Sequence, residues 1–200
     1  MKESSSGGVT IGNLMPDEPT FVRLLDTVWA DRGGLHDDLA TPEQATEWFT
    51  RAGFEQVSDF TDDQARQVRR LRDSLRRLAA HHTADTRTRA SSPVSLAQAV
   101  DVVNSYAGLP SAGPQIHLTS AGKLRISPSR AQTLEDVLVG LSRKSIDALT
   151  RKEELPLRAC MAPACVLYYL QDHPRRAWCS PLCGNRARAA RHYARHRTTQ

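Results

Sequence analysis

Cysteine is confined to one stretch of this chain: Cys160, Cys165, Cys179 and Cys183, in the pattern C-x4-C-x13-C-x3-C, with none in the first 159 residues. Two close pairs a dozen or so residues apart are the spacing of a structural zinc site, because each pair closes a knuckle that turns two thiolates toward one ion. Unpaired core thiols and two disulfides are the competing readings. The clustering weighs against both, and so does the opening "MKESSSGGVTIGNLMPDEPT", which lacks the apolar run of a secretory signal. Four thiolates fill a tetrahedral ion and leave no place for water. One structural Zn2+ is therefore expected, folding its module and performing no chemistry.

Charge is concentrated in the same region. Residues 156–200 hold eight arginines, no lysine and a single acid, Asp172, for +7; a chain total of +5 leaves −2 for the first 155 residues. A polyanionic partner for the tail is the first inference. With 24 % charged and 40 % hydrophobic residues the chain reads as globular, and no stretch approaches the 18 apolar residues of a membrane span. The expected location is the cytoplasm, with no membrane partner.

Between the cysteine pairs, "VLYYLQD" and "RRAW" suit two short strands joined at His173-Pro174, and after Cys183 the pattern turns helical. On a helical wheel Cys183, Ala187, Ala190 and Ala194 form one narrow stripe. Small residues there would let the helix lie close to the hairpin. Arg188, Arg191, His192, Arg195 and His196 cluster on the opposite face, so the thiols anchor the helix and leave its far side to present cations. Asn185 either reads an adenine edge or supports a zinc-bound sulfur. Gly184 is read as permitting close packing beside the metal, and Trp178 as a core plug of the module.

Upstream, "EPTFVRLLDTVWADRGG" carries Phe21, Leu24, Leu25 and Val28 at helical spacing and is expected to be a first helix ending at Gly33 and Gly34. Thr41 with Gln44, and Thr61 with Gln64, are capping-box starts for two more helices. The second of these has the apolar stripe Val68, Leu71, Leu75 and Leu78, with Arg66, Arg69, Arg70, Arg72, Arg76 and Arg77 assigned to a solvated face and His81 and His82 to its C-terminal end. A helix from Pro93 and another with Leu134, Val137, Leu138, Leu141, Ile146 and Leu149 follow. Between them, Ile116 and Leu118, then Leu124 and Ile126, alternate around Ala121-Gly122 as a short hairpin. Trp29, Trp48, Asp26 and Asp37 are given core and capping duties, with a ligand pocket as the other reading.

The fold expected is mainly α with a small β-hairpin (α+β): a leader at 1–15, a helical N-terminal domain at 16–152, "RKEELP" as the joint, and a treble-clef-like four-cysteine zinc module with a basic C-terminal helix at 156–200. "WCSPLCGNRARAARHYARHR" with the upstream "RACMAPAC" resembles the CGNR zinc finger. "LLDTVWADRGGLHDDLATPEQATEWFTRAGF" resembles the opening of the helical ABATE domain that accompanies it in bacterial transcription regulators induced by stress. The specific part is the tetrad Cys183, Gly184, Asn185 and Arg186 together with Trp178-Cys179. The resemblance implies that Cys160, Cys165, Cys179 and Cys183 bind zinc and that the basic helix meets DNA.

These readings converge on a cytoplasmic transcriptional regulator that binds double-stranded DNA through Arg175, Arg176, Asn185, Arg186, Arg188, Arg191, His192 and Arg195. Its N-terminal domain would sense a small-molecule effector or mediate assembly. A single zinc module reads few base pairs, which favours a homodimer on affinity grounds. The alternative is a zinc-stabilised protein-interaction or RNA-binding module; sparse exposed aromatics argue against single-stranded RNA. No Ser-His-Asp order, phosphate loop or HExxH supports an enzyme.

Overall fold

The computed structural model describes residue 15 and residues 17–90, 92–111, 115–127, 133–151 and 156–197. The leader before Met15, most of the "RKEELP" joint and the last three residues lie outside these. The helices are α1 (Thr20–Leu25), α2 (Pro42–Arg51), α3 (Asp62–His82), α4 (Leu96–Ala107), α5 (Leu134–Thr150) and α6 (Pro181–Arg197). Among the described residues three antiparallel hairpins interrupt them: β1 (Val28–Ala30) with β2 (Leu35–Asp37), β3 (Gln115–Leu118) with β4 (Leu124–Ser127), and β5 (Leu157–Ala159) with β6 (Tyr168–Leu170). The mainly helical fold with small β elements is thus as expected.

Four helices start on a reciprocal cap in which a hydroxyl accepts from the N3 amide and the N3 side chain accepts from the cap amide. Thr41 with Gln44 and Thr61 with Gln64 open α2 and α3, and Ser95 with Gln98 and Thr133 with Asp136 open α4 and α5. The helix expected from Pro93 therefore begins at Leu96. α3, α4 and α5 pack on one another around Val68, Leu71, Leu75, Val103 and Leu138. Trp48 and Phe49 of α2 and Leu24 and Leu25 of α1 complete that core.

The first expected helix is a correction. α1 ends at Leu25, and the chain turns into the β1–β2 hairpin, where Trp29 stands opposite His36 with ring centroids 4.1 Å apart. The Asp31 carboxylate accepts from Gly33 N at 2.7 Å and bonds His36 Nε2 at 2.8 Å, while Gly34 takes φ 133°, open only to glycine without strain. Trp29 Nε1 donates to Asp38, so this tryptophan braces the hairpin while Trp48 fills the core.

The solvated-arginine reading of α3 also fails for two residues. Arg72 and Arg76 are buried. Arg72 holds Asp37 and Asp73, and Arg76 donates to Leu25 O at 2.6 Å and to Val166 O at 3.1 Å. Arg69 reaches Leu39 O, and Arg66 pairs with Asp63 within its own helix.

Arg76 crosses to the zinc segment, and it does so in company. Leu157 and the fully buried Tyr168 belong to the same apolar core as α1, α3 and α5. Within β5–β6, Cys160 N donates to Leu167 O and Gln171 N to Pro156 O, so Tyr168 and Leu170 turn their amides outward. Those two amides meet carboxylates: Tyr168 N donates to Asp26 Oδ1 at 2.9 Å and Leu170 N to Glu18 Oε2 at 3.1 Å. Two acids stand where a third strand would be. Burial pushes Asp26 well above the usual carboxylate range and raises Glu18 as well.

Tyr168 hydroxyl donates to Asp85 Oδ2 at 2.8 Å, and Asp85 pairs with Arg87 at 2.6 Å. Burial works to raise Asp85, but the hydrogen bonds from Arg87 outweigh it and hold the carboxyl below its ordinary 3.8. The stability that pair contributes is therefore present above pH 3.8 and is lost as pH falls through the lower folded value. Replacing Asp85 by Ala strands a buried guanidinium and is expected to cost about 3 kcal/mol at pH 7, lowering Tm by roughly 6–12 °C. Thermal unfolding of wild type and D85A from pH 7 to pH 3 should show that gap narrowing in acid.

Candidate metal centre and cationic helix

The first cysteine knuckle sits at the turn of the β5–β6 hairpin, which differs from the expected strand pair: residues 175–178 are not a strand. Cys160 leaves β5 and Cys165 returns toward β6, with Ala164 at φ 62° in between and Cys165 N bonded to Ala162 O at 3.0 Å. Cys179 precedes α6, and Cys183 lies in its first turn, where Ser180 Oγ accepts from Cys183 N at 3.3 Å. All four sulfurs are buried within 4.8 Å of one another, with Cys165 to Cys179 at 3.8 Å and Cys179 to Cys183 at 3.4 Å. A zinc ion with ~2.3 Å bonds to four thiolates needs sulfur-to-sulfur edges of ~3.8 Å, so this donor set and spacing fit the ion.

The thiols also need a cation. Hydrogen bonding to Cys160 pushes Cys165 and Cys179 above the ordinary thiol range, while bonding to Cys165 brings Cys160 down to about 7. Crowded together, the four do not all ionise on their own at neutral pH. Zinc holds all four as thiolates, and the resulting net charge of about −2 is eased by N–H donors to sulfur. Arg186 Nη2 donates to Cys183 Sγ at 3.2 Å, and Cys179 N to Cys160 Sγ at 3.5 Å. The chain holds one structural zinc in this site.

Arg87 reaches in from outside the module. Its Nη1 donates to the carbonyls of Cys160 at 2.8 Å, Cys165 at 3.1 Å and Leu167 at 3.2 Å, while Nε and Nη2 are held by Asp85. The fork geometry of a guanidinium allows both jobs at once. Nothing in the spacing of "ADTRTR" marks this residue. Arg186, by contrast, lies three positions after Cys183 on a helix, close enough for contact.

The sequence-selected residues fall into two groups. Arg175, Asn185, Arg186, Arg188, Arg191, His192 and Arg195 are all exposed. Arg188, Arg191, His192 and Arg195 line one open face of α6, and Arg175 and Arg188 share a cleft with Trp178, Ser180 and Gly184. Arg176 is drawn inward instead: it pairs with Glu18 at 2.6 Å, donates to Leu170 O and Cys179 O, and lies 5.0 Å from the Tyr169 ring centre. Asn185 accepts from Arg188 Nη2, so the sulfur-supporting role considered for Asn185 falls to Arg186.

Gly184 fits its expected duty, since a Cβ there would stand 3.1 Å from Trp178 Cδ1 and the indole lies directly over the helix. Trp178 itself is half-buried against the cysteine cluster. The small-residue stripe needs correction: Ala187 is buried, but Ala190 and Ala194 are exposed, so α6 leaves the body of the protein after its second turn. Its described side chains from Arg188 to His196 are all exposed, and α6 carries no acid.

Arg186→Ala is expected to weaken zinc affinity by roughly tenfold or more in a chelator competition, while Arg191→Ala leaves it unchanged. Because Tyr168 and Leu157 sit in the shared core, removing zinc is expected to lower the unfolding temperature of the whole chain in one transition, read by circular dichroism with and without chelator.

Two family models cover the chain. Residues 18–152 match ABATE, described as "Putative stress-induced transcription regulator", and residues 157–196 match the CGNR zinc finger. No curated protein matches the chain. No helix among the described residues is long and apolar enough to cross a membrane. A helical core at 18–152, followed by four clustered thiols and the Cys-Gly-Asn-Arg tetrad at the head of a basic helix, places this chain in the ABATE family with a CGNR zinc finger at its C-terminal end.

Proposed function

We propose that this protein is a DNA-binding transcriptional regulator of the cytoplasm that catalyses no reaction and grips duplex DNA with α6. One observation carries the reading: Arg188, Arg191, His192 and Arg195 share an exposed face of a helix that has no acid and is fixed at its base by the zinc thiolates. A helix is the right width for the major groove, and guanidinium groups bind phosphates or the O6/N7 edge of guanine. Arg175, beside Arg188 in the Trp178 cleft, extends the cationic track to the turn before α6. Arg186 would serve the metal first and the backbone second, and Arg176 would position the turn.

The helical part would carry the sensing role. A cavity of about 250 Å3 lies between the β1–β2 hairpin and α3, lined among others by His36, Asp37, Arg72, Arg76 and Arg89. It is of a size for a small polar effector. Arg76 connects it to Val166 O in the zinc segment, so an effector that moves Arg76 would act directly on the module. A homodimer would give the protein two such helices for one DNA site.

A duplex titration from low to moderate salt tests the reading. If ~5 phosphates are neutralised, log affinity should fall against log salt with a slope near −4 to −5. Replacing Arg188, Arg191 and Arg195 together by Ala should weaken binding and flatten that slope by about 3, with zinc content and Tm unchanged. Binding that ignores salt, or that survives the triple replacement, overturns it, and tighter binding to RNA or to a protein partner would move the module to the alternative class.

A further inference from the structure

His192 and His196 stand one turn apart on α6, and their Nε2 atoms face each other at 3.1 Å with ring centroids 4.3 Å apart. Both residues are exposed. Imidazole binds late divalent metals at ~2.0–2.1 Å, so two rings on one ion place their nitrogens ~2.9 Å apart at a right angle and ~3.4 Å apart at the tetrahedral angle. The observed spacing falls between these limits. Only one of the two nitrogens carries a proton in the hydrogen bond, and moving that proton to Nδ1 of the same ring frees both lone pairs with no net proton change.

We propose that His192 and His196 form a second metal site, one that takes a divalent late transition-metal ion and is separate from the four-cysteine centre. The two rings fill at most half of a four- or six-coordinate shell, so the ion keeps open positions. Arg188, Arg191 and Arg195 crowd the same face and oppose a bare dication. An anion among them removes that opposition, and a phosphate oxygen or a purine N7 can also enter the open shell. The ion and the DNA therefore bind cooperatively, and by linkage each tightens the other by the same factor. This coupling rests on the DNA reading above; the metal site itself does not.

The probe is Ni2+, which imidazole sites suit well. Zinc-loaded full-length protein and His196→Ala are titrated with Ni2+ without DNA, zinc release being followed in parallel, and duplex affinity is then measured with and without Ni2+. Wild type is expected to bind one more Ni2+ than H196A, or to bind it at least about tenfold more tightly because the second ring acts intramolecularly, with zinc held at one per chain. Ni2+ should then tighten DNA binding several-fold in wild type and not in H196A. Equal Ni2+ binding by the two proteins overturns the site. Ni2+ binding that depends on His196 yet leaves duplex affinity unchanged overturns the coupling alone. A duplex that fails to bind under any condition sinks the regulator reading, while the titration without DNA still decides the site.

Discussion

The outer edge of β6 is the constraint on which the rest of this structure depends. A three-residue strand in a two-stranded hairpin does not hold together in water by itself, and its unpaired amides invite competing partners. Here the amides of Tyr168 and Leu170 are taken by Asp26 and Glu18, which come from either end of α1. Tyr168 plugs the helical core below, and Arg87 ties down three carbonyls around the cysteine knuckle. The zinc segment is thus held by residues 73 to 158 positions away in sequence. The zinc segment and the helical core share buried contacts through Leu157 and Tyr168.

Burying this many charges is not a cheap source of stability. Desolvation of Asp26, Glu18, Arg76 and Arg87 offsets much of what their hydrogen bonds contribute, and an apolar interface of the same volume would serve stability as well. What the charged network supplies is orientation: each bond is directional and specific to one backbone atom. Arg76 joins Leu25 O to Val166 O, and Arg87 grips Cys160, Cys165 and Leu167 while Asp85 holds it from behind. Two guanidinium groups also flank the Tyr168 ring, 5.4 Å and 5.2 Å from its centre. Such a network fixes one docking pose of the zinc segment among many that would bury similar area.

What could be read from residues alone was local. Cysteine spacing, the caps at Thr41 and Thr61 and the cationic face of α6 depend on neighbours within a few positions, and each is found in place. The β1–β2 hairpin was hidden because Phe21, Leu24, Leu25 and Val28 satisfy helical spacing whether or not the helix continues past Leu25; the turn signal was "DRGG" itself. Arg72 and Arg76 were hidden because a wheel assigns arginine to solvent by type. On that wheel they lie within roughly 60° of Ala65 and Ala79, both buried, and small residues beside an arginine are the sign that a guanidinium is packed under. The strand expected at "RRAW" is not formed, and β6 pairs with "LRA" instead; both segments are short and cationic, so residue type does not separate them.

α6 meets the body of the protein only through its first two turns, yet it has 17 residues. At about 1.5 Å per residue it is a rod of roughly 25 Å pivoting on the thiolates. A rotation of ~10° at that pivot carries the far end about 4 Å sideways. Arg76 and Arg87 hold the backbone of the first cysteine knuckle, on the other side of that pivot. Any rotation of the knuckle that those two guanidinium groups hold is thus magnified, by leverage alone, at the tip.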